Sequence, residues 1–192
     1  YFEGNIEGWY MRNKIKGILR RMRGEIPLET LKRNGLKVGK NFSMRSECII
    51  DYSLPWLISI GDNVEFAPRV HVLAHDGSLN KTSVKHTKIG LVSIGNNVFV
   101  GAGTIILPNV KIGNNVIIGA GSIVNKDIPD NSVAVGNPIK VISNILEYEK
   151  KNMELLEKRP LFKRSYRLEN NVTDKQKKEM VEKLKDGIGF IN

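Results

Sequence analysis

Three histidines, His71, His75 and His86, are the side chains of this 192-residue sequence best suited to acid–base chemistry near neutral pH. His75 lies in VLAHDGS, where a run of regularly spaced apolar residues stops and a polar segment begins. Acyl transfer to an alcohol is one reaction that needs a base for the hydroxyl proton, and imidazole suits that role. His75 is therefore a candidate general base, whereas His71 is predicted at a solvent-facing corner.

Asp76 is a carboxylate at a position where the sequence pattern predicts a small apolar group. It could orient the His75 segment, bind substrate, or be a turn aspartate within HDGS. Because neighbouring residues cannot easily form a histidine–carboxylate hydrogen bond, His75 and Asp76 are not predicted to act as a dyad. Cys48 is predicted to point inward, and no serine occurs in G-x-S-x-G, so direct attack is favoured over a covalent acyl-enzyme.

A six-residue repeat must position these side chains. IGDN at Ile60 and IGNN at Ile94 and Ile112 mark it, and apolar residues recur at every sixth position from Val38 to Val124, apart from two breaks. This period fits neither a helix nor a plain alternating strand. It fits short strands joined by tight corners, with three strands and 18 residues in each coil, and Asn or Gly supplies the positive φ at the corners. The sequence predicts an all-β core that forms a parallel β-helix.

The breaks and the composition define the organisation of the chain. Residues 38–142 form the predicted β-helix, with a protruding loop at 78–93. Residues 1–37 contain a basic amphipathic helix from Met11 to Gly24, after a Tyr1–Tyr10 segment interpreted as an expression remnant. Residues 143–192 form a helical extension, with helices predicted over 143–159 and 173–185. The first helix either covers the open end of the coil or contacts an anionic membrane surface or a polyanionic glycan.

The formal net charge is +10, but its distribution argues against a nucleic-acid partner. Residues 41–142 carry eight Lys/Arg and seven Asp/Glu, so the basic excess lies near the chain ends. Nucleic-acid domains usually spread cations over the folded surface with interleaved aromatics. A single cysteine excludes an intramolecular disulfide framework, and we expect a cytoplasmic protein without a membrane-spanning helix.

The repeats resemble those of the hexapeptide-repeat acyltransferases, and more narrowly the maltose/galactoside acetyltransferase-like branch. The likeness rests on AHDGS from Ala74, IGNNVFVGAG from Ile94, ILPNVKIGNNVIIGAGSIVNKDIP from Ile106 and VGNPIKVI from Val135. This resemblance implies left-handed coils, a homotrimer with active sites between subunits, and acetyl-CoA as co-substrate without a metal. It also implies His75 as the catalytic base and the Ala102 N–H as donor to the thioester carbonyl.

The remaining predicted site residues concern coenzyme A and the acceptor. A groove for the pantetheine arm is expected to use Gly101, Ala102, Gly119, Ala120 and Gly121. Lys126 and Lys140 match the family's phosphate-binding positions, although Asn125 stands where relatives often carry Thr. Candidate acceptor contacts are Arg45, Glu47, Asp51 and Asp76, and the MRSECIIDYS segment departs from the galactoside-type pattern.

These features predict O-acetylation of a saccharide, with surface or capsular polysaccharide as the first choice of acceptor. A small free acceptor, such as a galactoside, an antibiotic or an amino sugar, is the alternative. A trimeric zinc carbonic anhydrase, which would use the three histidines, and a non-enzymatic β-helix scaffold are remoter alternatives.

Overall fold

The computed structural model describes residues 25–192, which divide into two compact units between Ile145 and Leu146. The helix predicted over Met11–Gly24 and the Tyr1–Tyr10 segment lie outside the described residues.

The first unit is built from very short strands that follow one another around a coil. Its strands are β1 (Lys37–Val38), β2 (Ser43–Met44), β3 (Ile49–Ile50), β4 (Ile58–Ile60), β5 (Val64–Phe66), β6 (His71–Val72), β7 (His75–Asp76), β8 (Lys88–Ile89), β9 (Val92–Ile94), β10 (Val98–Val100), β11 (Ile105–Ile106), β12 (Val110–Ile112), β13 (Val116–Ile118), β14 (Ile123–Val124), β15 (Ser132–Val135) and β16 (Lys140–Asn144). A short helix, α1 (Leu28–Arg33), precedes them, and its Leu31 is buried.

Three sheets form the walls of this unit. Sheet 1 has the order β1-β4-β9-β12, sheet 2 the order β16-β15-β13-β10-β5-β2, and sheet 3 the order β14-β11-β6-β3. Successive strands of the chain belong to sheets 1, 2 and 3 in turn, and all pairings are parallel except that of β15 with β16. The predicted parallel β-helix is confirmed.

The sixth-position residues form the core of the coil. From Ile50 to Val124 they are all buried, and Phe66, Ile106 and Ile118 have no exposed surface. Each buried Ile or Val contributes about 1.5–3 kcal/mol through removal of apolar surface from water. Two buried polar side chains of the coil, Thr104 and Ser122, have hydrogen-bond partners. Thr104 Oγ1 donates to Gly119 O at 3.2 Å, and Ser122 Oγ donates to the same carbonyl at 2.6 Å.

Asparagines form a ladder along the edge between sheets 1 and 2. Each has a φ between 53° and 57°, and each amide donates to the next asparagine at 2.9–3.0 Å. The members are Asn41, Asn63, Asn97, Asn115 and Asn131. Asparagine tolerates this left-handed conformation, which costs most residues 1–2 kcal/mol, so the IGNN motif turns the chain and also joins the coils.

The boundaries differ from the predictions in three places. The protruding loop predicted over residues 78–93 ends before Ser93, because Val92 already belongs to β9 of sheet 1. The coil ends in an antiparallel strand, β16, and helix α2 begins only at Ile145 and runs to Lys158. Short helix α1 was not predicted.

The second unit contains most of α2 (Ile145–Lys158), β17 (Leu161–Phe162), α3 (Asp174–Lys183) and β18 (Phe190–Ile191). Strands β17 and β18 pair in parallel. The predicted capping box at the start of α3 is present: Thr173 Oγ1 accepts from Gln176 N, and the Gln176 side chain accepts from Thr173 N.

Candidate functional site

His75 lies where the chain leaves the coil. β6 still pairs within sheet 3, but His75 and Asp76 pair with Ile89 and Lys88 in an antiparallel hairpin. The reason lies in Asp76, which would otherwise occupy an inward position, where an unpaired carboxylate is costly. The diversion leaves the His75 side chain 39% exposed at the edge between sheets 3 and 1.

Asp51 is the partner of the His75 imidazole. Its side chain is 1% exposed, and its Oδ2 contacts His75 Nδ1 and accepts from the Ala74 N–H at 3.0 Å. Its Oδ1 accepts from the Ser53 N–H at 3.0 Å. Burial alone would raise the pKa of Asp51, but these hydrogen bonds, led by the one from His75, outweigh burial and lower the pKa below 3.8. An ionised acceptor at Nδ1 fixes the tautomer that leaves Nε2 free to take a proton.

Asp51 is predicted from the sequence to contact the saccharide that accepts the acetyl group, whereas in the structure its buried carboxylate contacts His75. A signal for this pairing exists in the sequence. Paired residues of strands β3 and β6 are 22 positions apart. One coil accounts for 18 of these positions, and the break in the repeat around Trp56 inserts the other four. Asp51 therefore stacks on Leu73, two residues before His75.

Asp76 connects the two strands of the hairpin, because its carboxylate contacts Lys88 on β8. Its Oδ1 accepts from the Ser78 N–H at 2.8 Å, as expected for a turn aspartate, and its Oδ2 lies 2.5 Å from Lys88 Nζ. The Lys88 side chain, with help from Ser78, lowers the pKa of Asp76 to about 2. Of the roles left open, the geometry favours the turn and the positioning of the hairpin.

The residues predicted to line a coenzyme A groove lie at the corner between sheets 2 and 3. No acceptor among residues 25–192 faces the backbone N–H of Ala102 or Ala120, although Ala102 O accepts from the Gly121 N–H at 2.8 Å. Gly121 is exposed with φ 67°, and a Cβ there would meet nothing within 4 Å. Peptide groups at this corner are therefore open to a ligand.

Gly101 and Gly119 lie where successive coils approach each other closely. A Cβ on Gly101 would lie 2.4 Å from Ala120 N, and a Cβ on Gly119 would lie 2.6 Å from the Val135 side chain. Both glycines are required by the close stacking of successive coils, so their contribution to the groove is to bring the Ala102 and Ala120 corners together.

The two predicted phosphate ligands lie on different edges. Lys126 follows β14 at the edge between sheets 3 and 1, in one column with Ala74 and about two strand spacings, ~10 Å, along it. Lys140 pairs with Val135 at the end of β15, near the edge between sheets 2 and 3. Both side chains are exposed, and neither forms an ion pair with another described residue.

The other predicted acceptor contacts lie on the early coils. The Arg45 guanidinium pairs with Glu65 Oε1 at 3.0 Å on the outer face of sheet 2. Glu47 and His71 line an open cleft of about 610 Å³ on the outer face of sheet 3. His71 therefore lies half-buried on a sheet face rather than at the solvent-facing corner that was predicted.

Within the described chain, no group of three or more His, Cys, Asp or Glu side chains could hold a metal ion. None of the helices in residues 25–192 combines the length and the apolar character needed to cross a bilayer.

Comparison with known proteins identifies the family. The family model "Bacterial transferase hexapeptide (six repeats)" matches residues 92–126. Protein CapG of Staphylococcus aureus is 42% identical over 146 residues, which cover 72% of this chain and 83% of CapG. Galactoside O-acetyltransferase of Escherichia coli K12 is 36% identical over 61% of this chain, which spans only 58% of that enzyme.

A solved structure agrees with these sequence matches. A maltose O-acetyltransferase from Clostridium difficile 630 superposes with a TM-score of 0.51 at 31% identity, over 73% of this chain and 90% of that one. The identity to CapG across most of its length, the matching repeats and the observed coil together show that the chain belongs to the hexapeptide-repeat transferase family, where it groups with the acetyltransferases.

Proposed function

We propose that this protein is an acetyl-CoA-dependent O-acetyltransferase with left-handed coils that modifies a saccharide hydroxyl, in the biosynthesis of a surface or capsular polysaccharide. The observation that carries the proposal is the pair formed by His75 and the buried Asp51 carboxylate at the coil–hairpin junction. Such a pair supplies a general base with a fixed tautomer, which is what transfer to a hydroxyl requires.

The proton path follows from this pair. Asp51 holds the Nδ1–H of His75, so Nε2 takes the proton of the acceptor hydroxyl as its oxygen attacks the acetyl carbonyl. The Asp51 carboxylate stabilises the imidazolium that forms, and Nε2 then returns the proton to the departing sulfur. The acetyl group moves directly from sulfur to oxygen, and Cys48, buried and hydrogen-bonded to Ala67 O, takes no part.

Acetyl-CoA, as co-substrate, supplies the activated thioester, and the corner at Ala102 fits it. In this proposal the free Ala102 N–H donates to the thioester oxygen as negative charge develops, and the free Ala120 N–H donates to a peptide group of the pantetheine arm. The unpaired ammonium groups of Lys126 and Lys140 are suited to the phosphates.

One copy of the chain does not bring these groups together. His75 lies at the edge between sheets 3 and 1, whereas Ala102 lies at the edge between sheets 2 and 3. The face between them spans four to five extended residues, about 15 Å. We therefore propose that Ala102 of one subunit faces His75 of the next in a homotrimer.

The outer face of sheet 3 supports this assembly. Its outward residues are half-buried and mostly aliphatic: Ile49, His71, Ile105 and Ile123. The corresponding outward residues of sheet 1 are all polar: Lys37, Ser59, Ser93 and Lys111. Packing through sheet 3 would bury the aliphatic stripe and would place its two edges beside those of neighbouring copies.

The choice of acceptor rests on two observations. The relatives named galactoside and maltose O-acetyltransferase support a sugar hydroxyl. The hairpin beside His75 carries Lys81, Lys85 and His86 toward its tip, with no carboxylate there, which favours an anionic polymer over a free sugar. A small glycoside is the second candidate because of the similarity to galactoside O-acetyltransferase.

The experiment is an acceptor screen with purified protein that monitors release of free CoA. It compares fragments of acidic polysaccharides, simple glycosides and amines. Preference for an amine would contradict O-acetylation, and preference for a simple glycoside would contradict a polymeric acceptor. His75→Ala should lower turnover about 100- to 10,000-fold without weakening acetyl-CoA binding. His86→Ala is the matched control: it leaves the proposed general base intact and should not show this loss of turnover. Unchanged turnover in His75→Ala would remove the mechanism.

A further inference from the structure

The second unit contains a cationic segment, residues 158–168, that the proposed reaction does not use. The segment has five cations and no Asp or Glu: Lys158, Arg159, Lys163, Arg164 and Arg167. None of them forms an ion pair with another described residue. Five cations without an ion pair within eleven residues are the electrostatic footprint expected for an anionic partner.

Packing fixes which side chains of the segment point inward. Phe162 is buried, and its ring lies 5.3 Å from the ring of Tyr166. The Tyr166 hydroxyl donates to Glu179 Oε2 of α3 at 2.7 Å, and Arg159 Nε donates to Ile188 O at 2.7 Å. These contacts and the pairing of β17 with β18 hold the backbone of the segment.

The other side chains consequently face solvent. Lys163, Arg164 and Arg167 are exposed, and two leucines flank them: Leu161 is 59% exposed and Leu168 is 84% exposed. Exposed leucines gain nothing from a hydrophilic polyanion, but they gain free energy where acyl chains lie below anionic headgroups. Cations with interspersed aliphatic side chains therefore favour a lipid surface over a glycan or a nucleic acid.

We propose that residues 161–168 form a docking surface for a membrane rich in anionic lipid, with Lys163, Arg164 and Arg167 at the phosphates and Leu161 and Leu168 inserted between headgroups. Charge complementarity and the exposed leucines both favour an anionic lipid surface as the partner. The proposal is independent of the acetyl-transfer reaction, because every residue that it uses belongs to the second unit.

A label at position 168 tests the contact directly. Cys48, the only native cysteine, is buried, so Leu168→Cys in the full chain can be labelled selectively with an environment-sensitive fluorophore. The label should shift to shorter wavelength with vesicles that contain phosphatidylglycerol and not with pure phosphatidylcholine. Val181→Cys is the matched control: Val181 is 67% exposed on α3, on the side opposite Glu179, and its label should not shift.

Vesicle partitioning of the otherwise unchanged chain tests the cations. Replacing Lys163, Arg164 and Arg167 with alanine should weaken binding to phosphatidylglycerol vesicles about 100-fold, since each cation near an anionic surface contributes about 5-fold. Removing the exposed lysines Lys150, Lys151 and Lys178 is the charge-matched control and should have a smaller effect. The proposal would be overturned if the wild type did not bind the vesicles or if both triple variants lost binding equally. Equal fluorescence shifts at positions 168 and 181 would also overturn it. So would binding to soluble heparin that survives Leu168→Ser.

Discussion

Replacing Asp51 with asparagine tests the catalytic pair most directly. The amide keeps the shape of the carboxylate but has only one acceptor oxygen, whereas Asp51 accepts from three groups: His75, Ala74 and Ser53. If the amide oxygen faces His75 and Ala74, the amide nitrogen opposes the Ser53 N–H. If the amide nitrogen faces His75 instead, the proton on the ring must move to Nε2, which abolishes the base.

The size of the effect follows from the lost charge. A carboxylate about 4 Å from an imidazolium contributes about 4 kcal/mol at an effective dielectric constant of 20. A charged hydrogen bond exceeds a neutral one by about 1–2 kcal/mol. We therefore expect a loss of about 2–4 kcal/mol, which is about 30- to 1,000-fold in kcat, with little change in acetyl-CoA binding.

The ionised Asp51 carboxylate also makes the stability of the folded chain depend on pH. Because the folded-state pKa of Asp51 lies below 3.8, its contribution is fully present above that pH and is lost as the pH falls through the folded-state pKa. The variant should lack this acid-dependent loss.

Steady-state kinetics with the preferred acceptor provide the assay, and a double-mutant cycle provides the control. In a His75→Ala background, Asp51→Asn should cost little further activity, because the base that it orients is gone. Asp76→Asn, which changes the carboxylate next to His75 in the sequence, should not reproduce the loss in kcat of about 30- to 1,000-fold. A wild-type kcat in Asp51→Asn would refute the reasoning. The same would follow if Asp51→Asn caused as large a loss in the His75→Ala background as it does alone.

Three other predictions follow from the same geometry. Replacing Lys126 and Lys140 with alanine should weaken acetyl-CoA more than acetyl-pantetheine in a competition assay, and equal losses would contradict their contact with phosphate. Asp76→Asn removes the ionic contact with Lys88, so limited proteolysis should cut the hairpin faster than in the wild type. An unchanged cleavage rate would contradict a role for this contact in holding the hairpin. Asn97→Ala should lower the free energy of unfolding by about 2 kcal/mol and Asn97→Gly by about 1 kcal/mol, because only alanine also strains the positive φ; thermal unfolding measures both, and equal losses would dismiss the strain.

The repeat itself was predictable because its cause is local. Each six-residue unit carries its own inward pair and its own corner residue, so the apolar period gives the parallel coil without knowledge of distant contacts. His75 was singled out as a candidate base for the same reason, since it lies where that period stops. The capping box at Thr173 is likewise encoded within four residues.

Contacts between coils depend on offsets that the insertions change, and only the folded chain decides them. Asp76 is not predicted to pair with its neighbour His75, and the sequence pattern names no other partner. The carboxylate that contacts His75 is Asp51, 24 residues earlier, because one coil plus a four-residue insertion stacks β3 on β6. The coil, its corners, the edges at which His75 and Ala102 lie and the candidate base therefore follow from the local repeat. Which buried anion contacts His75 depends instead on how far the insertion near Trp56 shifts one coil along the next, because that shift sets which residues of neighbouring coils stack.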